Sequence, residues 1–261
     1  MLLTLLPWTS LSQAGAWLQS EDDSYFSARL DYTRSEKYWD QNSKLIDQGC
    51  DSNSWINTYY GDYGYSYYYT LFGKFNYLDL NCGDDQESGL GDIELGIRGR
   101  FNLFRNGRAW EVSLIAPSGY DKNSPVRLGY GRYGLKLGLA WADRKNNSGY
   151  YEYGASFRRW EGPPADQLQL YFRNAFDWTP TFRTILGVNG AKSLRNGESE
   201  PVDFASYERV SDSDHIKGTV EFRIKIVSAW SFLLGATQYY WGRNTSQTRG
   251  FHAIIVRKNK K

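Results

Sequence analysis

The sequence carries two histidines, two cysteines and long stretches in which every second residue is charged, and these decide which chemistries are open to it. A hydrolase built on Ser or Cys needs a histidine base within hydrogen-bond reach of its nucleophile. Only His215 and His252 are present, and the chain has neither a Gly-x-Ser-x-Gly elbow nor the His-x-Ser-Asn stretch that barrel phospholipases carry. No enzyme activity is therefore expected. Asp212, Asp214 and Glu208 near His215 offer oxygen ligands of the kind Ca²⁺ takes, and a solvated acidic loop accounts for the same residues. Two Cys and two His scattered along the chain give no metal-ligand spacing, so neither a metal nor a cofactor is expected.

What remains is the alternating charge. In "GLGDIELGIRGRFNL", residues 89–103, Ile93, Leu95, Ile97, Phe101 and Leu103 alternate with Asp92, Glu94, Arg98, Arg100 and Asn102. A period of two means an extended strand with one apolar and one charged face. The pattern recurs in "SYFSARLDYTR" (24–34), where Phe26, Ala28, Leu30 and Tyr32 oppose Ser27, Arg29, Asp31 and Thr33. In "HIKGTVEFRIKIV" (215–227), Lys217, Glu221, Arg223 and Lys225 share one face. A sandwich core cannot hold four such charges unpaired, but either a solvent face or a barrel lumen can.

Composition favours the barrel. Aromatic residues reach 17%, with 21 Tyr and 10 Trp, while the mean hydropathy is −0.62. Beyond the N-terminal leader no apolar run approaches the roughly 18 residues that a transmembrane helix needs, whereas barrel strands expose only alternate residues to lipid. The 31 basic residues nearly balance the 29 acidic ones, which gives no support to nucleic-acid binding. Arg257, Lys258, Lys260 and Lys261 read as a solvated tail. At the other end, "MLLTLLPWTSLSQAGA" has an apolar stretch leading to Ala14-Gly15-Ala16, a small-x-small cleavage pattern. Residues 1–16 are thus expected to be a signal peptide without a basic n-region, and residues 17–261 a single barrel domain.

Alternation and turn signals predict twelve strands, at 24–34, 55–62, 67–79, 90–103, 109–116, 127–142, 150–160, 167–178, 182–192, 214–227, 230–241 and 250–258. The links sort into two classes. Those after even-numbered strands are short and include Asn106-Gly107 and Thr179-Pro180. Those after odd-numbered strands are longer or irregular: 35–54, 80–89, 117–125, 161–166, 193–213 and 242–249. Short turns at one end and long loops at the other mark an outer-membrane barrel with both termini in the periplasm. Cys50 and Cys82 fall in the first and second long loops, at the same end of adjacent hairpins. In an exported chain that placement allows one disulfide, with separate thiols as the alternative. Trp110, Tyr151, Tyr153, Trp178, Phe182, Trp230 and Phe232 lie near the short turns, where an inner aromatic girdle belongs.

The stretch "GLGDIELGIRGRF", with "DYGYSYYYTLFG" upstream of it, resembles the outer-membrane MetA-pathway-of-phenol-degradation family over residues 63–101. The resemblance implies an outer-membrane barrel with a proposed role in uptake of aromatic or hydrophobic compounds, and it carries no catalytic residues.

If the apolar faces meet lipid, the lumen is lined by Arg29, Asp31, Asp92, Glu94, Arg98, Arg100, Glu111, Arg132, Lys136, Glu152, Arg158, Arg173, Asp177, Arg183, Lys217, Glu221, Arg223 and Lys225. Mixed signs allow either a narrow conducting path or a salt-bridged plug. If the path conducts, the basic excess favours anions and polar solutes. The expected protein is an outer-membrane channel for small solutes. The alternative is a non-conducting barrel whose loops 35–54 and 193–213 bind something outside. The expected partners are outer-membrane lipid and a small-molecule solute, and the oligomeric state is left open.

Overall fold

The computed structural model describes residues 15–101, 107–121, 128–145, 148–162, 164–196 and 212–260. Fourteen strands follow in order: β1 (Ser24–Trp39), β2 (Leu45–Gly64), β3 (Tyr69–Cys82), β4 (Asp85–Leu90), β5 (Ile93–Arg100), β6 (Arg108–Ala116), β7 (Gly134–Lys145), β8 (Gly149–Trp160), β9 (Gln167–Asp177), β10 (Phe182–Ser193), β11 (Asp214–Lys225), β12 (Trp230–Arg243), β13 (Thr245–Ser246) and β14 (Arg249–Asn259). Twelve of them form one antiparallel cylinder in which each strand pairs with its chain neighbours, and β14 returns to β1 from Ser24↔Asn259 to Arg34↔Arg249. The two short pairs, β4 on β3 and β13 on β1, extend the wall at the long-loop end.

Alternation places the side chains as their chemistry demands. In β5, Leu95 is 61% exposed on the outside, while Glu94 and Arg98 point inward at 8% and 1%. Phe26, Leu137, Leu170, Phe172, Val188, Phe222, Ile224, Leu234 and Phe251 continue the outer apolar band around the cylinder. An apolar belt of this extent is the signature of a surface that meets lipid rather than water. Aromatic residues border it at both ends. Trp178, Trp230, Tyr68 and Tyr69 lie exposed by the short turns, and Trp55, Tyr77, Tyr133 and Tyr240 lie toward the long loops. Between Tyr133 and Trp141, Leu135, Leu137 and Leu139 form the lipid-facing stripe of β7.

The strand count and the two classes of link agree with the sequence, and four boundaries are corrected. The expected loop 35–54 is mostly strand: β1 and β2 run on past the barrel as a hairpin closed at residues 40–44, where the Asp40 carboxylate accepts from the backbone N–H groups of Asn42 and Lys44. The expected loop 80–89 is likewise the β3–β4 hairpin. Strand 90–103 is interrupted: one extra residue enters at Gly91–Asp92, moving the pairing from Tyr77↔Leu90 to Lys74↔Glu94, as a β-bulge does. The sixth expected strand begins at Gly134 rather than at 127, and Leu128, Gly129 and Tyr130 before it border the interior cavity instead of joining the ladder.

Cys50 and Cys82 are joined in a disulfide with a Cα–Cα distance of 5.5 Å, tying β2 to β3 beside Tyr38 and Ile46. Most of the leader, the Asn106 turn, residues 146–147, Glu208 and Lys261 lie outside the described residues.

Candidate functional site

The barrel interior is layered. At the short-turn end, inward positions that would carry charges on a regular pattern are apolar: Tyr25, Tyr60, Phe72, Tyr150, Ala175, Ile185, Leu233, Ile254 and Val256 form one buried cluster. Each lies within a few residues of a strand end on that side. Phe72 fits because β5 offers Gly96 beneath its ring, where any Cβ would collide with it. The segment before β1 occupies the same mouth. Gly15 and Ala16 are buried, Gln19 donates its backbone N–H to Thr70 Oγ1 at 2.9 Å, and its side chain donates to Asp62 Oδ2 at 3.4 Å.

Beside this layer stands an ion-paired network. Arg98 donates to Glu111 Oε2 and to Tyr60 Oη, both at 3.0 Å, and lies 3.6 Å from Asp62. Lys136 bridges Glu111 at 2.8 Å and Glu94 at 3.3 Å. Across the lumen, Arg29 pairs with Asp31 at 2.6 Å and with Glu221 at 3.5 Å, and His252 Nε2 stands 3.1 Å from Glu221 Oε1. Pairing of this kind offsets the cost of taking each ion out of water, which an isolated buried charge would bear in full.

Toward the long-loop end the interior widens into a cavity of about 580 Å³. Of the lumen residues expected from sequence, Arg29, Asp31, Asp92, Glu94, Arg98, Glu111, Lys136, Arg158, Arg173, Lys217 and Glu221 border it. Asp92, released by the bulge, accepts from Tyr120 Oη and from the Tyr130 N–H, which fastens both tyrosines to the start of β5 at this end.

The others lie elsewhere. Glu152 is buried and accepts from Tyr171 Oη at 2.9 Å. Arg183 pairs with Asp177 and lies over the Tyr150 ring near the short turns. Arg223 donates to Ser231 Oγ, and Arg100 lies 4.3 Å from the Tyr67 ring centroid. The Lys225 N–H bonds the Thr181 carbonyl. Arg132 is exposed in the link before β7 rather than inward, because the strand starts seven residues later than the expected 127.

Sequence reasoning missed the apolar layer and Lys74. A break in alternation was the available signal: "AIIV" (253–256) puts apolar residues on both faces of β14.

The acidic group near His215 holds the wall together. Asp212 and Asp214 both bond Arg243, at 2.9 Å each, and Asp214 also takes Lys192 at 2.6 Å. Burial alone would raise the Asp212 carboxyl, but hydrogen bonds from Arg243 and Ser193 hold it below the ordinary aspartate value.

No protein-family model matches the chain, and no curated protein matches it. Among solved structures, the fold is similar to an outer membrane channel from Pseudomonas putida F1, with a TM-score of 0.77 at 11% identity, covering 96% of this chain and all of the other. The CymD monoaromatic hydrocarbon channel gives 0.51 at 6% identity over 92% of this chain and 89% of its own. The NanC porin gives 0.50 at 6% over 88% and 100%. Fold and lumen together define a β-barrel of the outer-membrane type.

Proposed function

We propose that this protein is a channel of the bacterial outer membrane, serving the passage of small solutes, among them aromatic or hydrophobic compounds. The observation that carries this reading is a charged cavity enclosed by a closed cylinder whose outer surface is apolar. The solute class draws support from the resemblance at residues 63–101 and from Tyr130, Trp160, Tyr171 and Tyr239 around the cavity. Export precedes this role, with the leader removed after Ala16, so that the mature chain starts at Trp17 and keeps Gln19 in the mouth.

Planar-bilayer recording of the purified, folded chain is the test. Discrete current steps support the channel; silence at every voltage, with the barrel intact, overturns it. The apolar layer at the short-turn end favours a second reading, a non-conducting barrel whose outer hairpins bind a surface partner.

A further inference from the structure

The wall made by β3, β5, β6, β7 and β8 presents Lys74, Arg98, Lys136 and Arg158 to the cavity. Its acids are already engaged: Glu111 takes Arg98 and Lys136, Glu94 takes Lys136 and the Ser113 hydroxyl, and Asp62 takes Arg98. Lys74 is left without an ion pair or a side-chain hydrogen bond among the described residues, although Glu94 is its register partner. Glu94 is its strongest electrostatic neighbour, opposed by the like charges of Arg158, Lys136 and Lys217. Arg158 stands in register with Lys136, a like charge, and its buried Nε has no hydrogen-bond partner. Lys74 and Arg158 share with Lys136 a single acid, Glu94, so an added anion is stabilised in this corner and a further cation is not.

The surroundings restrict which anion. The Arg158 guanidinium lies 5.7 Å from the Trp160 ring centroid, and Tyr130 packs against Trp160 at 4.7 Å. Both rings border the cavity, whose volume of about 580 Å³ falls within the usual range of small-molecule sites. A guanidinium matches the planar fork of a carboxylate, and an aromatic wall matches a flat apolar body. We propose that this corner binds a small aromatic carboxylate, Lys74 and Arg158 holding the carboxylate while Trp160 and Tyr130 face the ring. The inference rests on the solute-channel reading and specifies the solute.

Equilibrium dialysis of the detergent-solubilised full chain with benzoate tests it, with benzyl alcohol as the uncharged comparator. Saturable benzoate binding is expected, about tenfold or more tighter than that of benzyl alcohol, since a charge-assisted hydrogen bond contributes at least that factor. Lys74→Met and Arg158→Met should each weaken benzoate by a similar factor, while Lys74→Arg retains it. Equal binding of the two probes by the wild-type chain overturns the proposal without recourse to any variant. So does wild-type affinity in both folded Met variants, or the absence of saturable benzoate binding. Bilayer recording is independent: benzoate bound without current would leave the site standing and remove the channel reading.

Discussion

Inside the barrel, Arg98 and Glu111 face each other across the β5–β6 pair with Nη2 and Oε2 3.0 Å apart, and Arg98 reaches Asp62 on β2 as well. One guanidinium thereby neutralises acids from two separate strands, and the network fails as a unit. Arg98→Met should destabilise the barrel by about 3–5 kcal/mol, because it strands buried carboxylates. Urea titration of protein folded into liposomes measures the loss. A variant as stable as the wild type would show that water, not Arg98, satisfies those acids.

Phe72 on β3 and Tyr150 on β8 both project into the apolar layer, Phe72 over Gly96 and Tyr150 beneath Arg183. If that layer is the constriction, Phe72→Ala with Tyr150→Ala enlarges single-channel current. Stability should fall by about 3–5 kcal/mol for the Phe72 truncation alone. Unchanged current from a folded double variant would place the narrow point elsewhere.

Leu137 lies midway along the lipid-facing stripe of β7, between the Tyr133 and Trp141 girdles. Leu137→Arg should cost about 2–4 kcal/mol of folding free energy in liposomes, and Tyr133→Arg, near the interface, about 0–1 kcal/mol. Equal costs at the two depths would contradict the placement of the apolar band.

The disulfide spans a sequence separation of 32 residues at the outer end of β2 and β3. By the loop-entropy relation its removal costs about 3–4 kcal/mol, and the loss should fall on the projecting hairpin, since the barrel ladder below has its own pairing. In Cys50→Ser/Cys82→Ser, amide exchange at 45–54 accelerates while β7–β12 stay protected. Uniform acceleration around the cylinder would instead make the bridge part of global stability.

Asp212 and Arg243 supply the pH-dependent contact. The Asp212 carboxyl is held below its ordinary value of 3.8, so its contribution is complete above that pH and is lost as pH falls through the lower folded value. Acidification should therefore loosen the outer ends of β11 and β12 before the barrel opens, seen as faster amide exchange near residues 214 and 243. Asp212→Asn should shrink the transition, since Asp214 still bonds Arg243 at 2.9 Å, and loosen that end at neutral pH.

Within the membrane band the fold was legible because each face answers to a different solvent, so Leu95 and Glu94 announce opposite sides. Outside the band that contrast disappears. In "SEKYWDQNSKLIDQGCDSNS" (35–54) burial does not alternate, since Glu36 and Lys37 are both exposed while Tyr38 and Trp39 are both buried, so strand pairing leaves no period of two. The lumen was legible only where it is charged. Tyr25 and Ile254 face inward yet match the lipid-facing type, and alternation cannot tell one apolar side from another. Lys74 sits after "YGDYGYSYYYTLFG", where Tyr on both faces hid the register that now pairs Tyr60 with Lys74.

Because Ser24 pairs with Asn259, the seam between the first and last strands joins residues from opposite ends of the chain. Until β14 arrives, β1 and β12 each present an unsatisfied edge ready to capture a stray strand. Biogenesis must therefore shield a nearly whole but unzipped sheet, and chaperoning is needed longest at the edges that meet last.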